Sequence, residues 1–290
     1  YEKSNSFFYR CHNCGFGSNV KNFLDKVAPS LSSEYSMETF EEKFGKKKKT
    51  KKKEVDMNFV PFKTIHSGIV FTKKVSDLKE DHPCKKFVMD RKIPTDWYDK
   101  LFYVDDFNEY VSITISDEVK YPSEPRLVIP FVDSDEKIYA AQGRRLDDKD
   151  TPKYFTAKPK NTDRLWFNQW SVDPTQKVYV VEGPIDSMFL NNAVAMVGSG
   201  AITDVPSHLK NSNIIYILDN EPRNKQIVSY MENLCEKGET VCVWPSHVKE
   251  KDINEMVLSG TSIDEIEKIV NNNSFHGLDA HLRIKDWKKI

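Results

Sequence analysis

No apolar run in this sequence approaches the length of a membrane-spanning helix, and no signal peptide is visible. Cysteine is scarce. The five present are an odd number without scaffold-like spacing, which fits a reducing cytosol better than a disulfide framework. The phosphate-cradling pattern G-x-x-x-x-G-K-[ST] is missing, so no nucleotide-driven motor is fused into the chain. There is no internal repeat, and the first residue is Tyr1 rather than methionine, so an N-terminal piece is expected to be absent. Aromatic residues, by contrast, are plentiful. With 17 Phe, 12 Tyr and 5 Trp among 290 residues, and 39% hydrophobic content, the chain is globular and long enough for more than one structural unit.

The net charge of −1 says little, but its distribution is informative. Residues 46–53 read K-K-K-K-T-K-K-K, whereas the ends of the presumed strands are acidic. Such segregation suits a protein that grips a polyanion with one region and metal ions with another. The lysine run reads equally well as a solvated tether, and the two readings are compatible.

Five segments follow. Residues 1–42 hold a short strand at Phe7-Phe8-Tyr9-Arg10, a knuckle at Cys11-His12-Asn13-Cys14-Gly15 and the start of a helix at Val20; residues 43–58 are a lysine-rich linker. Residues 59–176 are mixed, with strands expected at 126–132 and 137–142 around a turn at Asp133-Ser134-Asp135. From 177 to 250 the pattern is regular, with strands at 177–182, 193–198, 213–219 and 240–244. Helices at 184–191, 204–210, 222–237 and 251–259 alternate with them, which implies a parallel sheet covered on both faces. Gly238 sits where a helix C-cap belongs, and a helical segment, 251–290, closes the chain with Thr261 or Ser262 as an N-cap.

The chemistry concentrates in 178–186, V-Y-V-V-E-G-P-I-D, and 214–221, I-I-Y-I-L-D-N-E. Each is a β-branched run ending on a carboxylate, at the strand end where open α/β sheets place ligands. If the strands are adjacent, Glu182, Asp219 and Glu221 lie within a few ångströms of one another. Unpaired carboxylates that close resist ionising, so a hard divalent cation with oxygen ligands is expected. One such strand end reads as a solvated helix cap; two in series, with a third acidic group at Lys251-Asp252, favour the metal. Asp186, four residues after Glu182, can face the same site. Cys11-x-x-Cys14 is half of a tetrahedral zinc site, its partner pair expected upstream of Tyr1.

Glu-Gly at one strand end, an acid-x-acid pair after a later strand and a K-D motif beyond it resemble a Toprim domain. Three further stretches narrow the likeness to DnaG-type primases. The segment 8–15, F-Y-R-C-H-N-C-G, followed by Asn22-Phe23-Leu24, resembles the second half of a primase zinc ribbon. The segment 126–131, R-L-V-I-P-F, with Gln142-Gly143-Arg144 and Thr151-Pro152-Lys153-Tyr154, resembles the basic motifs of the RNA polymerase core. Asp81-His82-Pro83 and Arg91-Lys92-Ile93-Pro94 resemble a helical part of that core. E-G-P-I-D-S-M-F and L-D-N-E-P-R-N are similar in particular to the primases of T-even-type bacteriophages, which share Asp-x-Glu where the Toprim pattern has Asp-x-Asp.

The resemblance implies an α/β fold: a Toprim parallel sheet flanked by helices, within a mixed α/β primase core, preceded by a partial zinc ribbon. It implies Mg²⁺ (or Mn²⁺) held by Glu182, Asp219, Glu221 and Asp252, with Glu182, Asp219 and Glu221 catalytic, and Zn²⁺ at Cys11 and Cys14 in the intact protein. Arg126, Arg144, Lys153, Asp186 and Lys251 are the implied nucleotide- or template-binding residues, with Arg145 and Arg223 as weaker candidates. Trp166, Phe167 and Trp170 read as base-stacking faces or as core. The implied partners are single-stranded DNA, ribonucleoside triphosphates, a separate hexameric helicase and single-stranded DNA-binding protein, in the cytoplasm of a bacterial host. The competing readings are a non-catalytic zinc and Toprim module that binds single-stranded DNA and docks on the helicase, and a Toprim nuclease.

Overall fold

The computed structural model describes the backbone of residues 2–3, 6–10 and 17–19, and then residues 72–290 apart from 116–118, 148–151, 161, 163 and 199–204. Cys11, Cys14, the helix expected from Val20 and the lysine-rich linker lie outside the described residues. The chain divides into two compact units, Tyr1–Pro61 and Phe62–Ile290. In the first, strands β1 (Glu2–Lys3), β2 (Ser6–Arg10) and β3 (Gly17–Asn19) pair antiparallel around β2.

The second unit begins with an antiparallel sheet of five strands in chain order: β4 (Thr72–Lys74), β5 (Phe102–Val104), β6 (Arg126–Val132), β7 (Ile138–Arg145) and β8 (Tyr154–Ala157). The β6–β7 turn is closed by the Asp133 carboxylate, which accepts from the backbone N–H of Asp135 and of Lys137 at 2.9 Å each. Helix α1 (Pro83–Asp90) starts with Pro83 at its first position and His82 Nδ1 accepting from Cys84 N. Helix α2 (Phe107–Thr114) buries Phe107, Tyr110 and Val111 on one face of the sheet. Its approach requires glycine at Gly143, where a Cβ would lie 2.5 Å from the Phe107 ring.

Arg126 is the largest side chain fully buried in this unit. Its Nε and Nη2 bond Glu124; Nη1 donates to the carbonyls of Gly143 (2.8 Å) and Lys153 (3.3 Å), and Nη2 to that of Pro152 (3.4 Å). With all five N–H groups engaged, Arg126 has no donor for template or nucleotide phosphate, and the expected binding role is corrected to a structural one. Its work is to tie β6 and β7 to the segment leading into β8, so that the strand carrying Arg144 and the residues around Lys153 are held together. Arg126→Met is expected to lower stability by about 3 kcal/mol in a denaturant titration, because it strands Glu124 and three carbonyls.

The second sheet has the order β14-β13-β12-β10-β11-β9, built from β9 (Leu165–Phe167), β10 (Lys177–Val181), β11 (Ala193–Val197), β12 (Asn213–Ile217), β13 (Thr240–Cys242) and β14 (Ser274–Phe275). The inner four strands are parallel; β9 and β14 flank them antiparallel, so the sheet draws in strands from both sides of the regular segment. Residues of β10 alternate between two cores, as a strand covered on both faces must. Tyr179 and Val181 join Leu127, Ile129 and Phe131 of the antiparallel sheet, whereas Val178 and Val180 join Ile227, Met231 and Leu234.

The covering helices are shorter than expected early in this segment. Only one turn forms after β10, α3 (Pro184–Ser187), where Ser187 Oγ bonds back to the Pro184 carbonyl. Within the stretch expected as helix 204–210, Ser207–Leu209 is a 3-10 turn. Helix α4 (Lys225–Glu236) is capped by Asn224, buries Ile227, Val228, Met231, Leu234 and Cys235, and stops before Gly238 at φ +78°. Helices α5 (Ile253–Ser259), α6 (Ile263–Asn272, capped by Ser262) and α7 (Gly277–Trp287) complete the unit. Cys84, Cys235 and Cys242 are buried free thiols, Cys84 pushed up to about 12 by burial, and they serve the core. Trp166 and Phe167 are core residues of β9, while Trp170 is exposed and stacks on His208 with centroids 4.3 Å apart.

Candidate active site at the strand ends

Strand β10 lies between β11 and β12, and the chain leaves it for β11 before crossing back to β12. The order therefore reverses between β10 and β12, and the crevice beyond their C-terminal ends is where such sheets bind ligands. Glu182 and Asp219 follow those two strands, which pair in register through Val181 and Ile217. The Asp219 backbone N–H donates to Glu182 Oε1 at 2.9 Å, so one acid's main chain holds the other's side chain.

Asp186 enters from α3, where a Cβ on Gly183 would stand 3.0 Å from its Oδ2. Its Oδ1 accepts from the backbone N–H of Asn254, in the first turn of α5 (2.9 Å). Asp252 is the N-cap of α5 and spends Oδ1 on the N–H of Glu255 (2.8 Å). Arg91 Nη1 donates to Asn254 Oδ1 and the Asn254 amide returns to the Arg91 carbonyl, both at 2.8 Å; this locks the end of α1 onto α5.

Glu182, Asp186, Asp219 and Asp252 line one cavity of about 340 Å³. Glu221 does not. It lines a neighbouring cleft with Arg223 and Lys289, and Lys251 links it to the others. The Lys251 ammonium sits 3.3 Å from Asp219 Oδ2 and 3.6 Å from Glu221 Oε2. Among the described residues no three acidic side chains are drawn into a closed ligand shell; the group is open, with an ammonium lodged between two of its members.

Burial and mutual repulsion mark this cluster. Glu182 is raised to about 7, first by burial and then by the Asp219 charge. Asp186 is raised to about 8 by burial and by Asp252, and Asp219 to about 6 by burial against the opposing pull of Lys251. Lys251 is raised by the acids it bridges, which outweigh its partial burial. Oxygen donors this crowded and this reluctant to ionise are suited to a hard divalent cation.

The basic candidates divide. Arg144 is nearly buried, its guanidinium 4.9 Å from the Tyr154 ring and 5.3 Å from that of Phe87. Tyr154 lines the cavity, and its hydroxyl feels the charges of Arg144, Arg91, Asp186 and Asp252. Lys153 is exposed and contributes its carbonyl to Arg126. Arg145 is tied to Asp147 at 2.7 Å.

Gln142, Tyr154 and Arg164 also line the cavity; the first two stood within the basic motifs read from the sequence without being taken as site residues. Gln142 stands two residues before Arg144 on β7, where strand alternation is the signal that finds it, and Tyr154 opens β8 directly after Lys153. Arg164 had no such signal. Nor had Trp287, whose Nε1 donates to Asn220 Oδ1 (3.1 Å), between Asp219 and Glu221; Lys289 N donates to the Pro222 carbonyl (2.8 Å). Helix α7 thus braces the turn that carries two of the acids.

No protein-family profile matches the sequence. The chain is 34% identical over 296 residues to the DNA primase of Enterobacteria phage T4, a match that covers all of this chain and 84% of that protein. Among solved structures it is similar to the E. coli primase catalytic core, with TM-score 0.52 and 14% identity over 72% of this chain and 77% of that one. A DnaG catalytic core gives TM-score 0.53 and 15% identity over 69% of this chain and 75% of that one. A DnaG catalytic domain bound to single-stranded DNA gives 0.52 and 14%, over 69% and 74%. At such identities the structures establish the fold, a mixed α/β primase core, and the full-length relative establishes descent: the chain belongs to the DNA primase family.

Proposed function

We propose that this chain carries out primer synthesis, the joining of ribonucleotides on a single-stranded DNA template, at the carboxylates gathered between β10 and β12. The observation that carries this reading is the lining of one nucleotide-sized cavity by Glu182, Asp186, Asp219 and Asp252 at the strand-order reversal. Its 340 Å³ falls in the range of small-ligand sites. A non-catalytic docking module would have no use for four half-buried acids at such a point.

Nucleotidyl transfer needs charge neutralisation and in-line placement more than covalent help. Mg²⁺ or Mn²⁺, held by Glu182, Asp219 and Asp252 with Glu221 across Lys251, supplies that neutralisation when bound. The chain's own groups do the rest. Glu182, held by the Asp219 backbone N–H at the end of β10, is placed either to hold the cation or to accept the proton of an attacking 3′-hydroxyl. Asp186, fixed by Asn254, holds the far wall, and Tyr154, backed by Arg144, presents a ring and a hydroxyl to the nucleotide. Lys251, Lys153 and Arg223 are the cations for triphosphate or template, with Arg126 removed from that set.

Residues 59–176 then act as the N-terminal part of the polymerase core, 177–250 as the Toprim part and 251–290 as its helical brace. Residues 1–42, with Zn²⁺ at Cys11 and Cys14, form the remaining part of a ribbon joined by the 43–58 tether. A separate hexameric helicase is the partner expected for this role, with single-stranded DNA-binding protein as a further candidate, in the cytoplasm of a bacterial host. Among the described residues no helix is long and apolar enough to cross a membrane.

The test is ribonucleotide incorporation on single-stranded DNA with Mg²⁺. Short RNA products that require both template and cation are expected. Products formed without template, or DNA cleavage instead of synthesis, would overturn the reading in favour of an untemplated transferase or a nuclease.

A further inference from the structure

Gln142 lies on β7 with Arg144 on the same face, while Gly143 between them faces Phe107. It is only 7% exposed and stands opposite Thr156 of β8, to whose Oγ1 its Nε2 donates at 3.3 Å. Its Oε1 has no hydrogen-bond partner among the described residues, and the side chain lines the cavity that holds Glu182 and Asp219. Roughly nine in ten buried polar groups have a partner, so an orphan at a ligand cavity asks for one from the ligand. Turning the amide over leaves the same deficit, with the orphan then a donor.

We propose that the Gln142 amide binds the ribose 2′-hydroxyl of the nucleotide in this cavity and so sets the preference for ribonucleotides over deoxyribonucleotides; this rests on the polymerase reading above. The triphosphate offers only acceptors, which belong with the cation and with Lys251 or Arg223. A contact to a base edge would favour some bases, whereas templated synthesis must admit all four. The 2′-hydroxyl is common to every ribonucleotide, absent from every deoxyribonucleotide, and both gives and accepts a hydrogen bond. It therefore suits the amide whichever way the amide is turned.

The experiment compares ATP and 2′-deoxyATP, in equilibrium binding with Mg²⁺ and in single-nucleotide incorporation, for the parent and for Gln142→Met, which keeps the volume and removes the amide. The parent is expected to favour ATP by about 10-fold or more in both measurements, and Gln142→Met to bring the ratio close to one by weakening ATP alone. Equal losses for both nucleotides, or an unchanged ratio, would overturn the proposal. With the same comparison run for GTP, CTP and UTP, a loss confined to particular bases would replace it with base reading. Binding is scored without turnover, so a parent that binds ATP selectively but makes no RNA would count against the polymerase reading and leave this one standing. Should Gln142→Met fail to fold, the parent with 2′-fluoro-ATP decides, since fluorine cannot donate. Affinity near that of 2′-deoxyATP supports a contact that takes the hydroxyl proton, and affinity near that of ATP overturns it.

Discussion

Asp219→Asn is expected to abolish primer synthesis, by about 1,000-fold or more, while making the cation-free protein more heat-stable rather than less. The activity loss follows from removing one charge of the acidic set at the point where the cation and the triphosphate must meet. The fold survives because Asp219 holds Glu182 through its backbone N–H, which asparagine retains. The stability gain follows from linkage. Asp219, Glu182 and Asp186 all titrate higher in the folded chain than in an unfolded one, at about 6, 7 and 8. Between the ordinary carboxylate range and those values the native state binds more protons than the unfolded state, so stability falls as pH rises through that window. In EDTA the parent's Tm should therefore drop on going from about pH 5 to about pH 8, and the variant's should drop less. At the upper pH the variant should melt roughly 2–4 °C above the parent. A parent whose cation-free Tm rises over this range would refute the crowding of these acids. A variant that keeps its activity would refute their role.

Lys251→Met is expected to separate cation binding from nucleotide use. The ammonium lies against Asp219 and Glu221, where it meets the same negative charge a divalent cation would. Removing it should tighten Mn²⁺ binding in the absence of nucleotide by roughly 5- to 10-fold, a modest figure because the ammonium is half exposed. Without any cation the variant should melt below the parent, since the two acids lose the charge between them. The KM for ribonucleotides should rise by about 10-fold if the displaced ammonium moves onto triphosphate oxygens. Calorimetric Mn²⁺ titration reads the first effect and steady-state incorporation the last. Weaker Mn²⁺ binding would show that Lys251 orders the acids for the cation instead of standing in its place.

Much of this architecture was legible because it is written in short-range chemistry. Four apolar strand runs, the Ser262 and Gly238 caps and the acids at two strand ends are local patterns, and the alternation of strands with helices was enough to imply a parallel sheet. The adjacency of Glu182 and Asp219 was expected on that basis. The short α3 was not, because Ser187 turning back on Pro184 competes with helix propagation in a way no periodicity registers.

What the amino-acid order determined by itself is therefore the strands of the parallel sheet, the later helices and the acids at the strand ends, all set within a few residues by side-chain shape and backbone preference. Only the tertiary structure decided which charges are spent and which are free. Arg126 looks like a phosphate ligand until β6, β7 and β8 assemble and surround it with Glu124 and three carbonyls. Glu221 looks equivalent to Asp219 until the turn places it in a separate cleft across Lys251. Trp287 and Asn220, 67 residues apart, have no relation until α7 packs on the sheet. In each case deciding partners come from a distant part of the chain, for Arg126 the three carbonyls of residues 143, 152 and 153, and a charge's role depends on who its neighbours are once water has been excluded.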